Sequence, residues 1–300
     1  MHMKNIKILP SRICKNKTLT KNKIYIVMGE VRVNKKVKLT VEDETTILLV
    51  NGVFEKSCIK RSALIFDPGS KLKAGRMHLK AADQHYKIVK QADNGGVWFL
   101  GNYADASKDG ISVKVNRKKR ISHFSADLIT TNYLGRKDPE ENQQESDQNE
   151  LDDDIDGFSV LGVGPDEWSI QAIKSHHSAD DGIDFTNSHV RINRLEVKAP
   201  TEDGINMSSS RVEIYKRLSV EVIKSKVTDR DLIDLETDDG ASYLELHRGC
   251  WVKLFGVFGD ELILSSKEMP VPNTKTDNEK VYFFSGRLKQ AALIYSIDED

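Results

Sequence analysis

Carboxylates recur at a fixed spacing in the middle of this chain. Asp181 opens the segment DGIDFTNSHVRI and Asp203 opens the near copy DGINMSSSRVEI, 22 residues later. Asp156 precedes Asp181 by 25 residues and Asp231 follows Asp203 by 28, so four acids fall at one roughly constant interval. If each interval is one turn of a stacked repeat, equivalent side chains lie about 4.8 Å apart along the stack. Carboxylates that close cannot all ionise freely, and three kinds of chemistry follow. In the first, one protonated and one ionised group act as general acid and base across a glycosidic bond. Alternatively Asp180, Asp181, Asp184 and Glu202 supply hard oxygen ligands to Ca²⁺. The third reading is architectural: Asp before Gly makes a turn, with the side chain bonded to nearby backbone and Gly supplying a positive φ. The additional Asp180, Glu202 and Asp238 exceed what a turn needs.

The surrounding residues must position this row. In each copy a short β-branched run such as Gly182-Ile183-Asp184-Phe185 is followed by small polar residues and a second run from Val190 to Ile192. Such segments cannot bury their apolar side chains alone and must stack on their neighbours. Alternation sends Ile183 and Phe185 to one face and Asp184 to the other. Strand patterns begin near Ile24 with IYIV, EVRV, VKLTV and TTILLV, and continue through SALIFDPGSKL, GGVWFLGN and GISVKV, with no competing helical period. The expectation is an all-β chain: a right-handed parallel β-helix, a solenoid of roughly ten coils with capped ends. Residues 1–22 would be a basic leading cap, 23–270 the helix with an acidic loop inserted at 138–154, and 271–300 the closing cap.

Charge is segregated although the net charge is only -1. Residues 1–40 hold eleven Lys or Arg and one acid, Glu30, while 138–156 hold ten acids and no base. The run Arg117-Lys118-Lys119-Arg120 lacks interleaved aromatics, which disfavours nucleic acid as a partner. No stretch has the length of a membrane span and the start has no apolar signal core, so the chain reads as soluble, either cytoplasmic or secreted with its leader removed. Cys14, Cys58 and Cys250 are too few and too scattered for a metal knuckle or a disulfide framework. The adjacent His176 and His177 point to opposite faces of a strand and cannot share one zinc ion.

Taken in order, VKLTVEDETTILL, SALIFDPGSKLKAG, GGVWFLGN, IDGFSVLGVGPDEWSIQAI and SADDGIDF resemble successive coils of bacterial cell-surface and lipoprotein β-helix proteins of the pectin-lyase-like superfamily. The segments SADDGIDFTNS and TEDGINMSSS are similar to the paired acidic motifs of polygalacturonase-type glycoside hydrolases. That resemblance implies a catalytic role for Asp181 and for the pair Glu202 and Asp203. Where the family carries Gly-His-Gly, near residue 225, this chain has Lys224-Ser225-Lys226.

The leading functional expectation is a scaffold that binds carbohydrate or another extended ligand along the acidic ladder, with Asp156, Asp180, Asp184, Asp231 and Asp234 as contacts. The alternative is a polysaccharide hydrolase or lyase using Asp181, Glu202 and Asp203, with His177, His189 or His247 as a nearby base. A third reading takes Asp184, Glu196 and Lys198, spaced as in restriction-type nucleases, as a Mg²⁺ site. Long flat faces also leave room for association between copies of the chain.

Overall fold

A computed structural model describes residues 5–55, 58–108, 110–115, 121–136, 155–222, 230–258, 263–265, 268–271 and 280–296. The basic run at 117–120, the acidic loop at 138–154 and Lys224 to Lys226 fall outside the described residues. Those described form strands and turns without a helix.

The strands follow one another in a repeated order. The first pass lays down β1 (Asn5–Ile8), β2 (Arg12–Ile13) and β3 (Lys17–Leu19), and the second β4 (Lys23–Val27), β5 (Val31–Val33) and β6 (Lys38–Val41). Then come β7 (Thr45–Val50), the hairpin β8 (Val53–Glu55) and β9 (Cys58–Lys60), β10 (Leu64–Phe66) and the long β11 (Lys71–Ala82). β12 (Val97–Leu100), the hairpin β13 (Ala106–Lys108) and β14 (Ile111–Val113), and β15 (His123–Asn132) follow. The next passes are β16 (Phe158–Leu161), β17 (Trp168–Ile170) and β18 (Ala172–His176), then β19 (Asp184–Thr186), β20 (His189–Lys198), β21 (Asn206–Ser208) and β22 (Arg211–Glu221). The chain closes with β23 (Asp234–Glu236), β24 (Ser242–Leu246), β25 (Trp251–Gly256), β26 (Ile263–Ser265), β27 (Tyr282–Arg287) and β28 (Ala292–Ser296).

Outside the two hairpins and the closing strands, pairing is parallel between one pass and the next. One eight-stranded sheet runs β2-β5-β10-β12-β16-β19-β21-β23, and a sixteen-stranded sheet carries the remaining passes. Within the larger sheet β11 pairs with β6 through Lys71–Ala74 and with β7 through Met77–Ala82, so it bends across two rows. β22 does the same with β24 and β25, and its pairing with β20 has an irregularity in register between Ile192 and Arg194. The parallel array already includes Asn5–Ile8, where β1 pairs with β4, inside the segment expected to form a separate leading cap. At the other end the pairing turns antiparallel, β27 on β25 and β28 on β24, which makes the large sheet mixed.

Alternation builds one long core. Val33, Phe66, Phe99, Val160, Phe185, Met207 and Leu235 occupy successive register positions of the smaller sheet and are all buried. Phe66 and Phe99 stack with centroids 5.0 Å apart, while Phe124 and Trp168 meet Phe99 edge-on from the larger sheet at 5.1 and 5.5 Å. The opposite face of the smaller sheet changes along its length. Ile65 and Trp98 are apolar, and Ser159, Asp184, Asn206 and Asp234 continue the same row as polar residues. The apolar end is covered by Ala106 and Val113 of the β13–β14 hairpin, forming a second small core with Leu100 and Leu161. The run GISVKV, read from the sequence as another coil, is therefore partly an antiparallel flap lying outside the rows.

The Asp-Gly corners also differ from expectation. Neither Gly182 nor Gly204 has a positive φ. A Cβ at Gly204 would lie 2.5 Å from the carbonyl oxygen of Leu232, and one at Gly182 would crowd Val197 and the Gly204 carbonyl. Glycine is required here because consecutive passes approach too closely for a side chain. A methyl group would have to push them apart, an overpacking cost of roughly 1–3 kcal/mol. Left-handed residues occur elsewhere and recur with the repeat: His177 and Ala199 at φ 55° and 51°, Asn187 and Ser209 at 47° and 50°.

Candidate functional site

The acidic row assembles in the turns that lead into the smaller sheet. Its register pairs Ser159 with Asp184, Asp184 with Asn206 and Asn206 with Asp234. Those steps of 25, 22 and 28 residues equal the spacings of Asp156, Asp181, Asp203 and Asp231, which are therefore neighbours along the stack. The backbone N–H of Asp203 donates to Asp181 Oδ1 at 3.0 Å, and the N–H of Asp231 donates to Asp203 Oδ1 at 2.5 Å. Two of the three candidate catalytic carboxylates thus bind the amide of the next pass.

The rest of the row is enclosed. Asp156, Asp180, Asp181 and Asp184 are all buried, whereas Glu202, Asp203, Asp231 and Asp234 are half-buried. Carboxylate oxygens of Asp156, Asp180 and Asp181 lie within 4.8 Å of one another, close enough for a shared cation. Lys108, at the tip of β13, reaches into this cluster, with Nζ 2.8 Å from Asp156 Oδ2 and 3.2 Å from Asp184 Oδ1. The Thr186 hydroxyl also donates to Asp184, at 3.2 Å. Asp156 Oδ1 is buried with no hydrogen-bond partner.

One ammonium cannot balance so many enclosed carboxylates, and the ionisation equilibria shift accordingly. Burial, reinforced by the charge of Asp156, holds the Asp181 carboxyl well above the usual range. Burial pushes Asp184 up to about 7 even though Lys108 favours its charged form. Asp203 is pushed up to about 8, again chiefly by burial, against the opposing N–H bond from Asp231. Burial works against the Lys108 ammonium, but Asp156 and Asp184 outweigh it and hold the amine protonated.

The nuclease triad is not assembled. Asp184 lies on the smaller sheet beside Lys108, whereas Glu196 and Lys198 lie on β20 of the larger sheet. Glu196 pairs with Lys174 at 3.2 Å and His176 at 2.9 Å. His177 stacks on Tyr133, with centroids 4.6 Å apart.

His189 and His247 converge on Glu213, a buried carboxylate of the larger sheet that the sequence does not single out. His189 Nε2 lies 2.8 Å from Oε1, Arg191 Nε donates to the same oxygen at 3.1 Å, and Tyr215 donates to Oε2 at 2.8 Å. His247 Nε2 is 3.3 Å from Oε2, and its ring stacks on Tyr215. Although burial opposes it, these donors bring Glu213 down to about 2. Glu213, Glu245 and His247 form a second group with the reach of a metal site. The only sequence signal for it is alternation, which puts Glu213 on an outward face and makes it look like any solvated acid. Lys108 had no signal at all, since the flap that carries it interrupts the repeat.

Cys14 and Cys250 are free thiols. Among the described residues no helix is long and apolar enough to cross a membrane. Comparison with known protein families, curated proteins and solved structures finds no match.

Proposed function

We propose that the chain closes into a right-handed parallel β-helix of the pectin-lyase-like kind, and that it serves as a scaffold binding carbohydrate or another extended ligand along its polar ladder. Three rows visited in a constant order around one internal core support the closed coil, with β27 and β28 as its end cover. The observation that carries the scaffold reading is the use made of Asp181 and Asp203. Each carboxylate accepts the amide N–H of the next pass and so stitches coils together. Ligand contact then falls to the end of the ladder beyond the flap, where Asn206 and Asp234 are half-buried and carry amide and carboxylate groups suited to sugar hydroxyls.

One observation favours turnover instead. Asp203 is half-buried and raised to about 8, as a general acid at neutral pH requires, and the charges of Asp231 and Asp234 add to that rise after burial. A screen over acidic and neutral polysaccharides, with and without Ca²⁺, separates the two readings. The scaffold predicts glycan binding without new reducing ends or unsaturated products, and weaker binding by Asp234→Ala. Turnover by the parent that disappears in both Asp181→Asn and Asp203→Asn would overturn it in favour of a hydrolase or lyase.

A further inference from the structure

The sixteen-stranded sheet carries a second row of a different character. Register pairs Arg194 with Arg217, Arg217 with Trp251 and Trp251 with Arg287, one residue from each of β20, β22, β25 and β27. All four are exposed, and neighbours in such a row stand about 4.8 Å apart. Lys216 and Arg248 flank them, and the group lines an open cavity of about 460 Å³ with no acidic residue in its wall.

Some charges elsewhere on this sheet are neutralised locally: Lys174 with Glu196, Lys253 with Glu221 at 3.3 Å, and Arg211 with Glu245 at 2.6 Å. Among the described residues none of Arg194, Lys216, Arg217, Arg248 and Arg287 forms an ion pair, and Arg287 spends one N–H on the Gly249 carbonyl at 2.9 Å. In a chain of 45 basic and 46 acidic residues, five uncompensated cations around one cavity are a local arrangement and not a general excess.

We propose that this row is a binding site for a linear glycan bearing sulfate or carboxylate groups. Guanidinium forks bind the oxygens of either anion in pairs, and a regular row meets a polymer that repeats its charge. The Trp251 indole, 40% exposed in the middle of the row, offers a flat apolar face to sugar ring carbons. Single-stranded nucleic acid fits less well, because its binders stack successive bases on successive open rings. Here Tyr215, the other aromatic of the cavity, is already covered by His247 at 3.9 Å between centroids. The site lies on the other sheet from the acidic ladder, and Asp181→Asn and Asp203→Asn leave its residues untouched.

Trp251 supplies its own readout, since the other two tryptophans, Trp98 and Trp168, are buried at 1% and 5% exposure. The full chain is titrated with a heparin-derived oligosaccharide, an oligogalacturonate, a neutral cello-oligosaccharide and a single-stranded oligonucleotide, following tryptophan fluorescence at low and high salt. The expected result is a saturable change with one or both anionic glycans, the two arms telling sulfate from carboxylate. It should be weakened by salt and at least tenfold by Arg194→Gln with Arg217→Gln, while Arg217→Lys restores only part. An equal response to the neutral glycan, an unchanged affinity in the double variant, tighter binding of the oligonucleotide, or no response to any anion would each overturn the proposal. Neutral-glycan binding that the double variant retains would do so while leaving the ladder reading intact.

Discussion

Replacing Lys108 by methionine is expected to destabilise the protein by about 3–5 kcal/mol at pH 8, the usual cost of removing one partner from an enclosed ion pair. Methionine keeps most of the apolar stem and removes the ammonium, so packing of the β13–β14 flap changes little. What is lost is the cation 2.8 Å from Asp156 and 3.2 Å from Asp184, both of which are buried where water cannot replace it. The loss should shrink on acidification, because Asp184, already raised to about 7 with the lysine present, rises further without it and takes up a proton instead. Urea denaturation of parent and variant at pH 5 and pH 8 reads both numbers. An equal loss at the two pH values would mean that the flap matters for its packing alone, and a loss below about 1 kcal/mol would remove Lys108 from any organising role.

The parent protein is expected to be most stable near pH 4, close to the ordinary aspartate value, and to weaken steadily toward pH 8. The ordinary aspartate value is 3.8, whereas Asp184 and Asp203 titrate near 7 and 8 in the fold and Asp181 is also raised. A carboxyl whose folded value is raised contributes stability that is complete below its unfolded value and is lost as pH climbs through the folded one. Each such group therefore costs roughly 1.4 kcal/mol per pH unit over its window, ending near 7 for Asp184 and near 8 for Asp203. Glu213 has the opposite sign: lowered to about 2, its contribution is complete above the ordinary glutamate value of 4.5 and fades in stronger acid. The two trends leave an optimum on the acid side of neutrality. Asp203→Asn keeps an oxygen for the Asp231 amide but cannot ionise, so it should flatten the slope. Thermal midpoints that rise between pH 5 and pH 8, or a variant with the parent's slope, would contradict this account.

Much of the strand pairing was legible because spacings in the sequence match it. The 22-residue interval between Asp181 and Asp203 reappears as the register of Asp184 on Asn206, and the looser intervals of 25 and 28 reappear with it. Alternation correctly separated Phe185, in the core, from Asp184 on the opposite face. What stayed hidden depends on contacts between passes. Glycine after Asp looks like turn chemistry in one dimension, and only the Leu232 carbonyl lying against Gly204 gives its real reason. Lys108 belongs to a flap whose ISV pattern imitates a coil, so neither its departure from the rows nor its reach to Asp156 could be inferred. Exposure was hidden too: the acidic ladder reads as a presented surface, yet Asp156, Asp181 and Asp184 are buried, with Lys108 of that flap reaching Asp156 and Asp184.

The uneven length of the passes has a kinetic side. From β16 to β23 the register steps are 25, 22 and 28 residues, but the step from β12 to β16 is 61. Closing the longest step costs about 0.9 kcal/mol more chain entropy than closing the shortest of these, before any contact rewards it. Pairing β12 with β16 is thus the slow join, and the strands on either side of it are expected to condense before the two parts meet. Pulse-labelled hydrogen exchange during refolding would show amides of β19 to β22 protected ahead of those that join β12 to β16; simultaneous protection would mean that the long step is no barrier.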